Sequence, residues 1–234
     1  MDSNAVFTAA VQFLLVLLAI AVHESAHAWM ADLCGDPTGR TAGRVTLNPL
    51  PHLEPFGSVL LPALQIAFTM IPFGWGRPAP VMPASFRRPG WDDIRVAAAG
   101  PVANLLLSSV AVVGVAVGVA VLGPEARQAA YLTLLRQPGA AGHLAGFPLM
   151  FTLVQAALIN AFIAVFNLIP LPPLDGGQIA LQLLPSDWGA KLAALRPYGF
   201  IIGVGLAVLG VVPILLAPLY MILAIILNAA LFPS

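Results

Sequence analysis

Residues 21–29 read AVHESAHAW, and they follow a run from Ser3 to Val22 without one charged residue. His23, Glu24 and His27 therefore stand inside a segment that otherwise looks lipid-soluble. A helix brings residues four apart onto one face, so the His23 and His27 rings can reach one metal ion. Glu24 is turned about 100° from His23, off the ligand face but close enough to hold a water and take its proton. Ionisable groups inside a membrane segment are functional by default. The first apolar run is thus read as a helix over 5–31 that carries chemistry at its C-terminal end.

The rest of the composition agrees. The chain has 234 residues, 59% of them hydrophobic and 9% charged, with zero net charge and one cysteine, Cys34. Soluble domains carry about 25% charged residues, so a polytopic all-α integral membrane protein is expected. No basic block suggests nucleic acid. A single cysteine excludes an internal disulfide and argues against a thiolate zinc site within one chain. The start, MDSNAVF, has an acid and no basic stretch, which argues against a cleaved signal peptide.

Two further apolar runs, 96–122 and 147–169, are long enough to span a bilayer, which needs about 20 residues. The stretch 57–72 is apolar but short and interrupted by Pro62, so it is expected to re-enter or lie along the bundle. Residues 198–232 are too long for one crossing and are expected to bend into two pieces near Pro213 and Pro218. The loops are 32–56, 73–95 and 123–146. TAGRVTL (41–47) and GRPAPVM (76–82) are candidates for short strands near the site, the second confined to an edge by its prolines. No internal repeat or second domain is visible, so 1–234 reads as one membrane-embedded unit.

A catalytic zinc takes three protein ligands and leaves a position open for water. Among the few remaining acids, Asp175 stands out. It follows Pro170, Pro172 and Pro173 and precedes Gly176-Gly177, so NLIPLPPLDGG reads as a helix that stops at membrane depth and turns an acid inward.

With these motifs in order, the chain resembles the site-2 protease family of intramembrane zinc metalloproteases. His-Glu-x-x-His lies in a first core helix, AAAGPVANLLLS (97–108) is similar to the family's Gly-Pro-x-x-Asn signature on the middle one, and NLIPLPPLDGG lies on a third. The resemblance covers about residues 5–180. It implies a three-helix catalytic core, one zinc per chain held by His23, His27 and Asp175, and Glu24 as the catalytic acid/base. Asn104 and Asn167 match asparagines associated with the core and substrate handling. NPLPHLEPFGS (48–58) resembles a segment of the short members, where His52 is a candidate for a supporting role behind the ligands. The 123–146 loop is too short for the PDZ module that many members carry, so a minimal form without PDZ or CBS domains is implied. The implied substrate is a transmembrane segment of another protein, already trimmed by a first protease. A transporter with a metal site, or a non-catalytic scaffold of the family, is the competing reading. A transporter has no need of Glu24 beside a paired-His face, and a scaffold could lose any of the four residues.

Orientation follows from parity and charge. A shared zinc puts the C-terminal ends of the first and third core helices at one depth, so 32 and 95 share a membrane face. Six of the ten Lys and Arg (Arg40, Arg44, Arg77, Arg87, Arg88, Arg95) fall between them, with Lys191 and Arg196 following Asp175. Only Arg127 and Arg136 fall in the 123–146 loop. The positive-inside tendency then places the active site toward the cytoplasm and the N-terminus outside.

Overall fold

A computed structural model describes residues 3–68, 72–137, 142–144 and 146–229. The described residues form an all-α bundle. Three helices are long and apolar enough to cross a membrane: α1 (Ser3–Cys34), α4 (Trp91–Leu122) and α6 (Phe147–Asn167). Short α2 (Thr38–Thr41) and α3 (Leu61–Ala67) lie between α1 and α4, and α5 (Pro124–Leu134) lies between α4 and α6. After α6 come α7 (Asp175–Leu183), α8 (Ser186–Ala193), α9 (Gly199–Val208) and α10 (Val211–Ala229).

Helix α4 packs between α1 and α6 and runs opposite to both. Its N-terminal part meets the C-terminal part of α1, where Val96 O accepts from His27 Nδ1 at 2.7 Å. Cys34 O, at the end of α1, accepts from Arg87 N at 3.0 Å, so both chain segments reach the same end of the bundle. From Ser3 to His23 is about 30 Å along a helix, one hydrocarbon thickness.

The far end of the bundle is apolar. Phe147, Met150, Phe151 and Val154 of α6 pack with Val115 and Val119 of α4, Ala126, Ala129 and Ala130 of α5, and Leu223 and Leu227 of α10. The site end is held by hydrogen bonds instead. Asp36, fully buried, accepts from Met82 N at 2.6 Å and from Thr38 N at 3.0 Å. Burial alone would raise its pKa, but the bonds from Met82 and Thr38 outweigh it and hold the carboxyl below its ordinary range.

Several expectations change. Neither 41–47 nor 76–82 forms a strand among the described residues. Pro78 and Pro80 remove donors that a ladder requires, and 42–43 is a turn in which Gly43 has φ 69°. Residues 73–82 instead form an irregular strap held to side chains. Phe73 N donates to Gln65 Oε1 (3.0 Å), the Ser58 hydroxyl donates to Trp75 O (2.8 Å), and Arg44 Nη1 donates to Arg77 O (3.0 Å). The loop 123–146 contains α5, whose apolar contacts come from α6 and α10 and so leave little local signal. Pro55–Leu60 is a π-helical turn leading into α3, which ends at Ala67; residues 69–71 of the apolar stretch 57–72 lie outside the described residues. The C-terminal stretch does divide in two, but at Leu209-Gly210, with Gly210 at φ 89°, and not at the prolines. Pro213 falls in the first turn of α10, where a missing N–H costs nothing.

Candidate metal centre

His23 and His27 lie on the face of α1 turned to α4 and α7. Their ring centroids are 4.7 Å apart at an interplanar angle of 81°. Asp175 arrives as the first residue of α7, just past the proline turn that ends α6. Its Oδ2 lies 3.0 Å from His23 Nε2 and 3.4 Å from His27 Nε2. Gly176 and Gly177 belong to the first turn of α7, where a Cβ would run into Leu168 O and the Leu171 carbonyl. They let α7 sit against the proline turn and so fix where Asp175 points.

The donor set fits a zinc ion. One ligand atom from each of the three residues lies within 4.8 Å of the other two. Ligands about 2.05 Å from a tetrahedral zinc stand about 3.3 Å from one another, close to the 3.0 and 3.4 Å seen here. Both rings also commit the other nitrogen elsewhere, as metal-ligating histidines do. His23 Nδ1 bonds Asn104 Oδ1 at 2.6 Å and His27 Nδ1 bonds Val96 O at 2.7 Å, which turns both Nε2 atoms toward Asp175. Gly100 of α4 faces the pair, and a Cβ there would fall on His27 Nε2 and the His23 ring. The space for the imidazoles therefore depends on the absence of a side chain at 100.

The other sequence candidates divide. Glu24 lines the same cavity of about 750 Å³ as His23, His27 and Asp175, and its Oε2 accepts from Ala79 N of the strap at 3.0 Å. Asn167 lines this cavity too, and its Nδ2 donates to Ile163 O at 2.9 Å. Asn104 does not reach the cavity. It is fully buried, and its amide is taken up by His23, Ala19 O and Asn160 Oδ1. His52 is also buried away from the cavity lining. Its Nε2 bonds Thr46 O at 3.0 Å and its carbonyl accepts from Arg77 N at 2.8 Å, which anchors the strap.

Two contributions escaped the sequence. The strap 73–82 walls the cavity and reaches Glu24 through the backbone of Ala79, which no motif can announce. Asn160, in the apolar run of α6, touches Asn104; an amide at the middle of a membrane helix was the available signal. Gln178, Gln182 and Arg196 also line the cavity.

The profile of Peptidase family M50 matches residues 11–212. Bacillus subtilis (strain 168) YwhC, which bears the name putative zinc metalloprotease, is 36% identical over 192 residues, 80% of this chain and 75% of that one. Rip2 of Mycolicibacterium smegmatis, similarly named, is 32% identical over 197 residues, 82% of this chain and 64% of its own length. A 36-residue stretch is 58% identical to part of the membrane metalloprotease ARASP, chloroplastic, of Arabidopsis thaliana, 15% of this chain and 8% of that one. No solved structure matches significantly. With a profile match over most of its length and three apolar helices of membrane-spanning length, the chain belongs to peptidase family M50, the site-2 type of zinc metalloprotease.

Proposed function

We propose that this protein hydrolyses a peptide bond in or near a transmembrane segment of another membrane protein, with one zinc per chain held by His23, His27 and Asp175. The observation that carries the reading is the convergence of those three donors beside Glu24 in one cavity. Bound zinc supplies Lewis acidity, polarising a carbonyl and lowering the pKa of water to about 7. Glu24 lies off the ligand face and is the general base. It takes the proton of the attacking water and returns it to the leaving amine. The Ala79 N–H holds one of its oxygens and leaves the other to the water.

A substrate helix hides its carbonyls in i→i−4 bonds, so it must be locally extended before attack. The cavity of about 750 Å³ has room for such a segment. Asn167 is the proposed holder of a freed backbone group. The substrate is a segment pre-cleaved by another protease, whose shortened end can enter a site enclosed by the strap. Parallel α1 and α6, with the cationic segment 32–95 at their C-terminal ends, support a cytoplasmic active site, an outside N-terminus and a 57–72 stretch that does not cross the bilayer. Helical Pro55–Ala67 is about 20 Å long, short of the about 30 Å hydrocarbon core. Single cysteines at the exposed positions Ala42, Arg88 and Glu125 in a Cys34-free background test this. The first two are expected to label from one face and the third from the other; labelling of Ala42 and Arg88 from opposite faces refutes the arrangement.

The function itself is tested with Glu24→Gln on a reconstituted membrane substrate. Near-stoichiometric zinc with cleavage reduced by about 10²–10⁴-fold is expected, the usual weight of a general base. Turnover equal to the unaltered protein would overturn the mechanism.

A further inference from the structure

The two histidines receive their tautomers by different means. His27 Nδ1 donates to a backbone carbonyl, Val96 O, which can only accept. His23 Nδ1 faces a side-chain amide, Asn104, which could present either its oxygen or its nitrogen. Only the oxygen leaves the proton on Nδ1 and the Nε2 lone pair free for a metal. Something must therefore decide which way Asn104 points.

That decision can be traced through the bundle. Asn160 of α6, 5% exposed, donates from Nδ2 to Ala156 O at 2.9 Å. A backbone carbonyl cannot donate, so the Asn160 oxygen is the end left for Asn104. Asn104 Nδ2 donates to that oxygen at 2.8 Å and to Ala19 O at 3.1 Å, which uses both of its hydrogens. Its Oδ1 is left toward His23 Nδ1, at 2.6 Å. Carbonyls of two helices, Ala156 on α6 and Ala19 on α1, thus fix one polarity for the whole chain of bonds.

We propose that Asn160 is a positioning residue for the metal centre. Through Asn104 it sets the Nδ1–H tautomer of His23 and so presents His23 Nε2 as a ligand. Asn160 does not line the cavity. Without its oxygen, only Ala19 O orients Asn104. A flipped Asn104 would then offer its NH2 to His23 Nδ1 and favour the Nε2–H tautomer, which cannot bind a metal through Nε2. This proposal rests on the zinc reading above.

The test is zinc affinity, measured by chelator competition on the purified full chain, alongside 15N NMR of histidine-labelled protein to read the His23 tautomer. Asn160→Leu is expected to weaken zinc about 10–100-fold, the usual cost of losing a partner behind a ligand, and, with Asp175→Ala removing the carboxylate that otherwise holds a proton on Nε2, to shift the metal-free His23 signal toward Nε2–H. Asn160→Asp keeps an acceptor and is expected to stay within about threefold of the original affinity. In an Asn104→Asp background the carboxylate accepts whichever way it turns, so adding Asn160→Leu should cost almost nothing further. Asn160→Ala carries the same comparison if the leucine variant does not fold. An Asn160→Leu protein that binds zinc like the original, or one that loses as much affinity in the Asn104→Asp background, overturns the proposal and leaves the zinc site standing. An original protein that binds no zinc overturns both.

Discussion

Gly100 and Gly118 lie on the same helix about five turns apart, and both stand where a Cβ would strike a neighbour. At Gly100 the neighbours are His27 Nε2 and the His23 ring, each already committed to a partner. At Gly118 the neighbour is the terminal methyl of Met150, the free end of a flexible side chain in the apolar cluster with Phe147 and Phe151. The two halves of α4 are therefore specified in different ways. At the site end, direction decides: Asp36, Asn104, Asn160, Gln65 and His52 each hold a named backbone or ring atom. At the far end, volume decides, and volume can be met by small rearrangements.

The same substitution at both places should separate them. Gly100→Ala is expected to lower zinc affinity by about 100-fold or more, measured by chelator competition, although alanine is the better helix former by about 1 kcal/mol. Unchanged affinity would mean the imidazoles have room to move and the site is not rigidly framed. Gly118→Ala is expected to leave zinc affinity unchanged and to shift the thermal midpoint by no more than about 2–4 °C, roughly 1 kcal/mol for a chain of this size. A loss of zinc binding there would show that the apolar half is coupled to the site, and the contrast would fail.

The contrast also explains what could be read from the sequence. His23, Glu24 and His27 are legible because their spacing is the period of one helix, and Asp175 because prolines and glycines mark the turn around it. The three long apolar helices follow from length alone. Asn104 was visible as a motif, but its partners were not, since they come from 85 and 56 residues away on other helices. The stretch 76–82 misled as a strand candidate because its bonds run to scattered partners, the His52 carbonyl and the side chains of Arg44, Glu24 and Asp36, and such long-range pairs leave no local period. Helices α7 and α8 were missed because each is short and follows a proline, so the punctuation at 170–173 and Pro185 dominated the local pattern.

The central claim is that His23, His27 and Asp175 together hold a zinc ion. X-ray absorption at the zinc edge, on the purified chain and on Asp175→Ala, tests it most directly. The account predicts two imidazole nitrogens at about 2.0–2.1 Å and carboxylate oxygen at about 2.0–2.2 Å, with no sulfur near 2.3 Å, and zinc occupancy that falls sharply in the variant. A sulfur shell, or a zinc environment and occupancy that Asp175→Ala leaves unchanged, would contradict it.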